Sequence, residues 1–243
     1  MASNSSHIIN VLDRGYVMLV DHMGNDLTPV NAARASFHKR SEAMTPADER
    51  LLDYLVVNKH LSVFRHQVVT LEWYAPLFVA RQIWRYTVGN AQQDTIAAWN
   101  EASYRYISNS LEYYVPTAKQ WRGKPESVKQ GSAGNVDLPV GRHAESALLA
   151  SIHEAMQDYE WAIGAGIAPE QARLFLPANC QYTYWWMTAS LQSIVHLLEE
   201  RGDPHAMHET RLYARAVYDL VKPLFTRSIN ALLSKDVLAR LEA

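Results

Sequence analysis

One cysteine stands in the 243 residues, Cys180, and its isolation removes intrachain disulfides and any zinc centre built on several thiolates. No apolar run approaches the roughly 20 residues a membrane helix needs. The first residues, MASNSSHIINVLDRG, lack the charged segment and long apolar run of a secretory leader. A soluble, cytoplasmic protein without a membrane partner is therefore expected. The formal net charge is -2, so no broad basic surface for nucleic acid is expected either, although a few local arginines could hold a small anion. A glycine-rich phosphate loop is missing too: Gly164-Ala165-Gly166 leads to Pro169 without the required strand-turn setting. Ten histidines include no His-Glu-x-x-His helix. His60 and His66, six apart across a loop-to-strand boundary, make a poor ligand pair, and no metal is expected.

What is present suits one α+β domain over 1–243, since 48% hydrophobic residues on this length can bury one sizeable core. Residues 7–23 read as a strand, and 45–59 as a helix capped by Thr45, with Leu51, Leu52, Leu55 and Val56 as its apolar stripe. Val69, Leu71 and Trp73 alternate with Val68, Thr70 and Glu72 in a second strand, which Pro76 ends before the short helix LFVARQIWRY. Residues 116–143, rich in Pro and Gly, read as a surface insertion. Helices follow at 144–163 (Leu148, Leu149, Ile152, Met156 and Tyr159 on one face), about 183–200 and about 206–222 (Tyr213, Val217, Leu220, Val221). On this reading the cluster YTYWWM belongs to the core.

Arginines concentrate in three places. Arg81 and Arg85 lie four apart in RQIWRY, on one helical face with Gln82 beside them. NEASYRY packs Asn100, Glu101, Ser103 and Arg105 together, and a third group runs from Arg173 to Arg201 and His205. Guanidinium forks bind phosphate oxygens in paired hydrogen bonds. Surface or ion-paired arginines give the same pattern, so composition and spacing alone reach an anion site and no further.

Taken in order, AARASF (32–37), HLSVFRH (60–66), APLFVARQIWR (75–85), NEASYRY (100–106), PEQARLFLP (169–177) and EERGDPHAMHE (199–209) resemble the successive blocks of the flavin-dependent thymidylate synthases. The similarity covers nearly the whole chain. It implies a fold of mixed strands and helices, assembled as a homotetramer with active sites between subunits. It also implies FAD as cofactor, methylenetetrahydrofolate as carbon donor and NADPH as reductant. By position, Gln82, Arg85, Ser103, Tyr104, Arg105, Arg173 and Arg201 match the nucleotide contacts, with Arg173 coming from a neighbouring subunit. Ser62, Arg65, Arg85, Tyr86, Thr87, Glu101, Ser190, Gln192, His196 and His205 fall where the family holds flavin. Arg201 matches the arginine that contacts the pyrimidine ring and favours its ionised form, the catalytic role.

The chemistry answers an elementary difficulty. Carbon 5 of uracil is a poor nucleophile until carbon 6 receives an electron pair or the ring loses a proton. Cys180, in PANCQY, lacks a motif that would depress its pKa. A reduced flavin supplies hydride without a protein nucleophile. Departures from the family concentrate near the sugar and flavin: the usual Arg-His-Arg is Arg85-Tyr86-Thr87, and the segment from Arg85 to Asn100 is lengthened. Ser190, Gln192 and His196 also replace customary flavin-contacting residues. The altered pattern resembles a divergent branch, found in nucleoside-antibiotic pathways, that methylates UMP as well as dUMP. The alternatives are a synthase restricted to dUMP and a flavin- or nucleotide-binding protein without catalysis.

Overall fold

The computed structural model describes residues 7–88, 98–102, 111–126 and 131–242, the last turn of the helix ending at Val88 by its backbone only. The chain forms strands β1 (Ile8–Val11) and β2 (Gly15–Met23), helices α1 (Leu27–Arg34) and α2 (Pro46–Val57), strand β3 (Val68–Pro76), helix α3 (Leu77–Val88) and strand β4 (Ala98–Glu101). Helices α4 (Leu138–Gly164) and α5 (Pro169–Ala172), strand β5 (Tyr182–Ser190) and helices α6 (Leu191–Arg201), α7 (His208–Val221), α8 (Thr226–Leu232) and α9 (Lys235–Glu242) follow. The strands make one sheet in the order β1-β2-β3-β5-β4, each neighbouring pair antiparallel. The α+β reading holds.

Period-two patterning sets the centre of this sheet. Val69, Leu71 and Trp73 are wholly buried on one face of β3, and Trp185, Met187 and Ala189 lie on the same face of β5. Trp73 and Trp185 are register partners whose rings stack 5.3 Å apart; Tyr213 of α7 extends the stack on one side and Trp99 of β4 on the other. Burial of each central indole is worth about 4–6 kcal/mol on area grounds. Both indole N–H groups lack an acceptor among the described residues, a cost of roughly 1–3 kcal/mol each. Area wins.

Two element assignments differ from expectation. Residues 7–23 are a hairpin, not one strand, because Leu12 takes a left-handed conformation (φ 62) at the turn between β1 and β2. Residues 182–190 are a strand where a helix over 183–200 was expected: Tyr184 and Trp186 are exposed while Thr183, Trp185 and Met187 are buried, an alternation that only a strand produces. Helix begins one residue later, at the Ser190 cap. The β-branched and aromatic content of YTYWWMTAS favours this outcome.

The helix read over 45–59 forms over 46–57, with a reciprocal capping box between Thr45 and Asp48. Helix α4 starts six residues earlier than expected, and of its anticipated stripe only Tyr159 is buried, Leu149 being half exposed. Gly141 in its first turn is required by contact: a Cβ there would lie 1.9 Å from the Ala118 carbonyl oxygen. Ala118, whose backbone N–H donates to Glu145 Oε2, therefore lies directly against the start of α4.

Candidate functional site

Helix α3 separates two cavities. Its buried stripe, Val79, Ala80 and Ile83, packs into the core and fixes its rotation. Leu77, Ala80, Arg81 and Trp84 then line one cavity, whereas Gln82 and Arg85 line the other. Arg81 and Arg85, about 40° apart around a helix of 3.6 residues per turn, fall on opposite sides of the boundary. The shared anion face expected for this pair is thus divided.

The second cavity, about 330 Å³, gathers Gln82 and Arg85 from α3 with Arg201, His205 and Met207 from the end of α6 and the turn after it; Arg122, Gly131 and Ser132 complete it. Arg201 is buried in the last turn of α6, where a guanidinium complements the partial negative charge of the helix end. Asp203 organises the following turn: it accepts from the His205 backbone N–H (2.7 Å) and lies 2.9 Å from His205 Nδ1. These contacts, the backbone one foremost, hold the Asp203 carboxyl below its ordinary pKa and fix the direction of an exposed imidazole. No carboxylate lines this cavity among the described residues; Glu209, in the first turn of α7, accepts two bonds from Arg122 and a longer one from the Tyr114 hydroxyl (3.5 Å). Arg85 and Arg201 keep the cavity cationic.

The first cavity is larger, about 620 Å³, and differently built. Trp84 and Trp99 meet edge to face at 4.7 Å, and Trp99 stacks on the core indole Trp185 at 4.8 Å. Glu101 and Arg173 supply its charge. The Glu101 carboxylate accepts from the Thr183 hydroxyl (2.7 Å), while exposed Arg173 turns its Nε to the Glu170 carbonyl oxygen (3.2 Å). In one chain, therefore, Arg173 and Arg201 line different cavities.

A third group lies where the 3-10 turn Leu61–His66 meets α6. Arg65 Nε donates to the Gln192 side-chain oxygen (2.9 Å), with Ser62 exposed on the same turn and His196 half-buried one turn along α6. Ser190 is fully buried and accepts from the Ser193 backbone N–H (3.3 Å), so its hydroxyl serves as a helix cap. Tyr86 and Thr87 belong to the last turn of α3, but their side chains lie outside the described residues, as do Ser103, Tyr104 and Arg105.

Cys180 lines neither of the two charged cavities. Its thiol donates to the Pro177 carbonyl oxygen (3.3 Å), and burial pushes its pKa up. No group of three or more His, Cys, Asp or Glu able to hold a metal ion occurs among the described residues, and no described helix is long and apolar enough to cross a membrane.

Residues 18–225 match the model of the family described as thymidylate synthase complementing protein. The flavin-dependent thymidylate synthase of Thermotoga neapolitana is 36% identical over 212 residues, 86% of each chain. The chain belongs to this family. As a flavin-dependent thymidylate synthase family member it is an enzyme, and its fold agrees with solved relatives. The UMP/dUMP methylase PolB from Streptomyces cacaoi, bound with 5-Br dUMP, superposes with a TM-score of 0.76 at 26% identity, covering 92% of this chain and 96% of that one. The same methylase bound with 5-Br UMP gives 0.76 at 25% identity over the same shares.

Sequence reading missed Arg122, Gly131 and Ser132, because 116–143 was set aside as an insertion. It also missed Trp84 and Trp99. Tryptophan spacing across a strand partner, 99 opposite 187 and beside 185, becomes readable only once the strands are known.

Proposed function

We propose that the enzyme methylates carbon 5 of uridine monophosphates, both UMP and dUMP, with FAD as cofactor, methylenetetrahydrofolate as carbon donor and NADPH as reductant. One observation carries this reading: Gln82, Arg85, Arg201 and His205, drawn from two distant segments, converge on a single cationic cavity. An anionic nucleotide suits that charge, and the UMP/dUMP methylase similar to this chain was solved with both nucleotide types.

In this proposal Arg201 faces the pyrimidine and stabilises negative charge developing on the ring, an effect strengthened by its burial. Gln82 offers an amide that both donates and accepts, suited to the uracil edge. Ser103, the Tyr104 amide, Arg105 and the partner chain's counterpart of Arg173 hold the phosphate. Such sharing would resolve the separation of Arg173 from Arg201 within one chain, and it favours a homotetramer with active sites between subunits.

The donor set also fits a flavin dinucleotide. Ser62, Arg65, Gln192 and His196 present hydroxyl, guanidinium, amide and imidazole groups on neighbouring surfaces, the chemistry that a pyrophosphate and two ring systems need. Arg85, Tyr86, Thr87, Glu101, Ser190 and His205 complete the proposed set, Ser190 acting through the cap of α6. When bound, the reduced flavin supplies hydride, which leaves the chain without need of a nucleophile. Cys180, hydrogen-bonded to a carbonyl and outside the cationic cavity, agrees with that division of labour.

The test is product analysis by mass spectrometry after incubation with UMP or dUMP under identical conditions. Both 5-methyl products are expected, with specificity constants within about two orders of magnitude, the span of a pocket that merely tolerates a hydroxyl. Product from dUMP alone at high enzyme concentration would return the enzyme to ordinary thymidylate synthesis. Product from neither would refute the proposal.

A further inference from the structure

The outer wall of the cationic cavity comes from Arg122, Gly131 and Ser132, which lie on residues 120–126 and 131–136. Its two arms pair through a bridge between Arg122 and Asn135 and through three backbone bonds: Gly123 N–H to Gly134 O (2.8 Å), Ala133 N–H to Gly123 O (3.0 Å) and Val136 N–H to Trp121 O (2.9 Å). The 131–135 arm of this short ladder is exposed. The side chain that ties the ladder to α7 is Arg122.

Arg122 Nη2 donates to both carboxylate oxygens of Glu209, at 2.6 and 2.7 Å, while its Nε donates to Ser132 Oγ at 3.0 Å and Nη1 reaches the Gln120 carbonyl at 3.4 Å. Glu209 is 4% exposed and sits in the first turn of α7, directly after the turn that carries His205 and Met207. A buried carboxylate in that position demands a cation. The planar fork of Arg122 meets both of its oxygens while also gripping Ser132, and the Tyr114 hydroxyl adds a longer bond at 3.5 Å. Next to Ser132, Gly131 takes a left-handed conformation (φ 110), and a Cβ there would lie 3.5 Å from the His205 carbonyl oxygen. The wall thus touches the turn at one point and is clamped to it at another.

We propose that Arg122 is a positioning residue for the nucleotide: its fork between Glu209 and Ser132 fixes the outer wall of the cavity and so sets uridylate affinity. The inference rests on the assignment of this cavity to the nucleotide. With Nε held by Ser132 and Nη2 by Glu209, Arg122 acts through the wall and need not touch the substrate's phosphate. A lysine in its place keeps the charge beside Glu209 but loses the second grip.

The experiment compares the full-length wild-type chain with Arg122→Lys, Ser132→Ala and the double variant, all well below their thermal midpoints. UMP and dUMP binding is measured by calorimetry, and amide hydrogen exchange is measured without nucleotide. Arg122→Lys is expected to weaken both nucleotides roughly tenfold or more, the scale of a lost charge-assisted hydrogen bond. The double variant should lose less than the product of the single losses, since both break one grip. Exchange at Gly123, Ala133 and Val136 should rise while α6 and α7 keep their protection. A general structural defect would instead loosen those helices and lower the thermal midpoint of Ser132→Ala, which removes only the exposed hydroxyl that Arg122 Nε holds. Nucleotide affinities within twofold of wild type in Arg122→Lys would overturn the proposal, as would unchanged exchange in the ladder. Wild-type protein that binds neither nucleotide would remove the assignment beneath it, a failure told apart from the clamp's own because the exchange data need no nucleotide.

Discussion

The two cavities beside α3 are built on opposite principles. One ends a stack of indoles that begins in the core, Trp73 to Trp185 to Trp99 to Trp84, so the packing that stabilises the sheet also shapes its wall. The other is walled by a helix end, a turn and a short ladder, held by Asp203, Glu209 and Arg122. Apolar packing yields a wall that is expensive to deform, because interiors are close-packed. Charge-assisted hydrogen bonds yield a wall that depends on a few partners, each of which matters. Removal of one group should therefore cost stability at the first cavity and function at the second.

The largest expected effect sharpens the first half of that contrast. Trp185→Ala should cost about 3–5 kcal/mol in denaturant unfolding, the usual scale for a large buried aromatic. A loss under about 1 kcal/mol would mean that the indole stack does not support the cavity wall. Next comes Arg201→Ala, expected to lower turnover by ~10²–10³ with a smaller effect on nucleotide affinity, the scale of removing one preorganised donor. Equal losses in binding and turnover would show that Arg201 holds the ground state instead.

Arg173→Ala tests whether the two cavities cooperate between subunits. Nucleotide binding should weaken by about 1.5–3 kcal/mol, and mixing this variant with Arg201→Ala should recover some activity. Recovery requires sites assembled from both chains; unchanged nucleotide affinity would remove Arg173 from the phosphate site. The smallest effect lies far from both cavities. The Asp48 carboxyl is held down to about 2, chiefly by the Thr45 hydroxyl, with Ser41 and Arg34 assisting and burial opposing. A depressed carboxyl stabilises the fold above its unfolded pKa, near 4, and that stability drains as pH falls from ~4 towards 2. Asp48→Asn should flatten acid unfolding in this window; an identical acid profile would place the dependence elsewhere.

Legibility in the sequence followed the same contrast. Helix α2 and strand β3 could be read because cap and periodicity agree locally: Thr45 marks the start, and Val69, Leu71 and Trp73 the face. Strand β5 was misread because a run of aromatics satisfies both periods until its partner β3 is known. Of the site, Gln82, Arg85, Arg201 and His205 could be placed through family resemblance, which carries their order but not their grouping. The separation of Arg81 from Arg85 depends on how α3 is rotated, a tertiary fact set by Val79 and Ile83. Arg122 was invisible for a related reason: its importance comes from Glu209, 87 residues away.

Photo-cross-linking with 5-bromo-UMP asks which cavity receives the base, and mass spectrometry of the resulting peptides answers it. The account predicts cross-links within 82–85 and 201–207, around the cationic cavity. Cross-links confined to 99–102 and 173–176, around the indole-lined cavity, would contradict it.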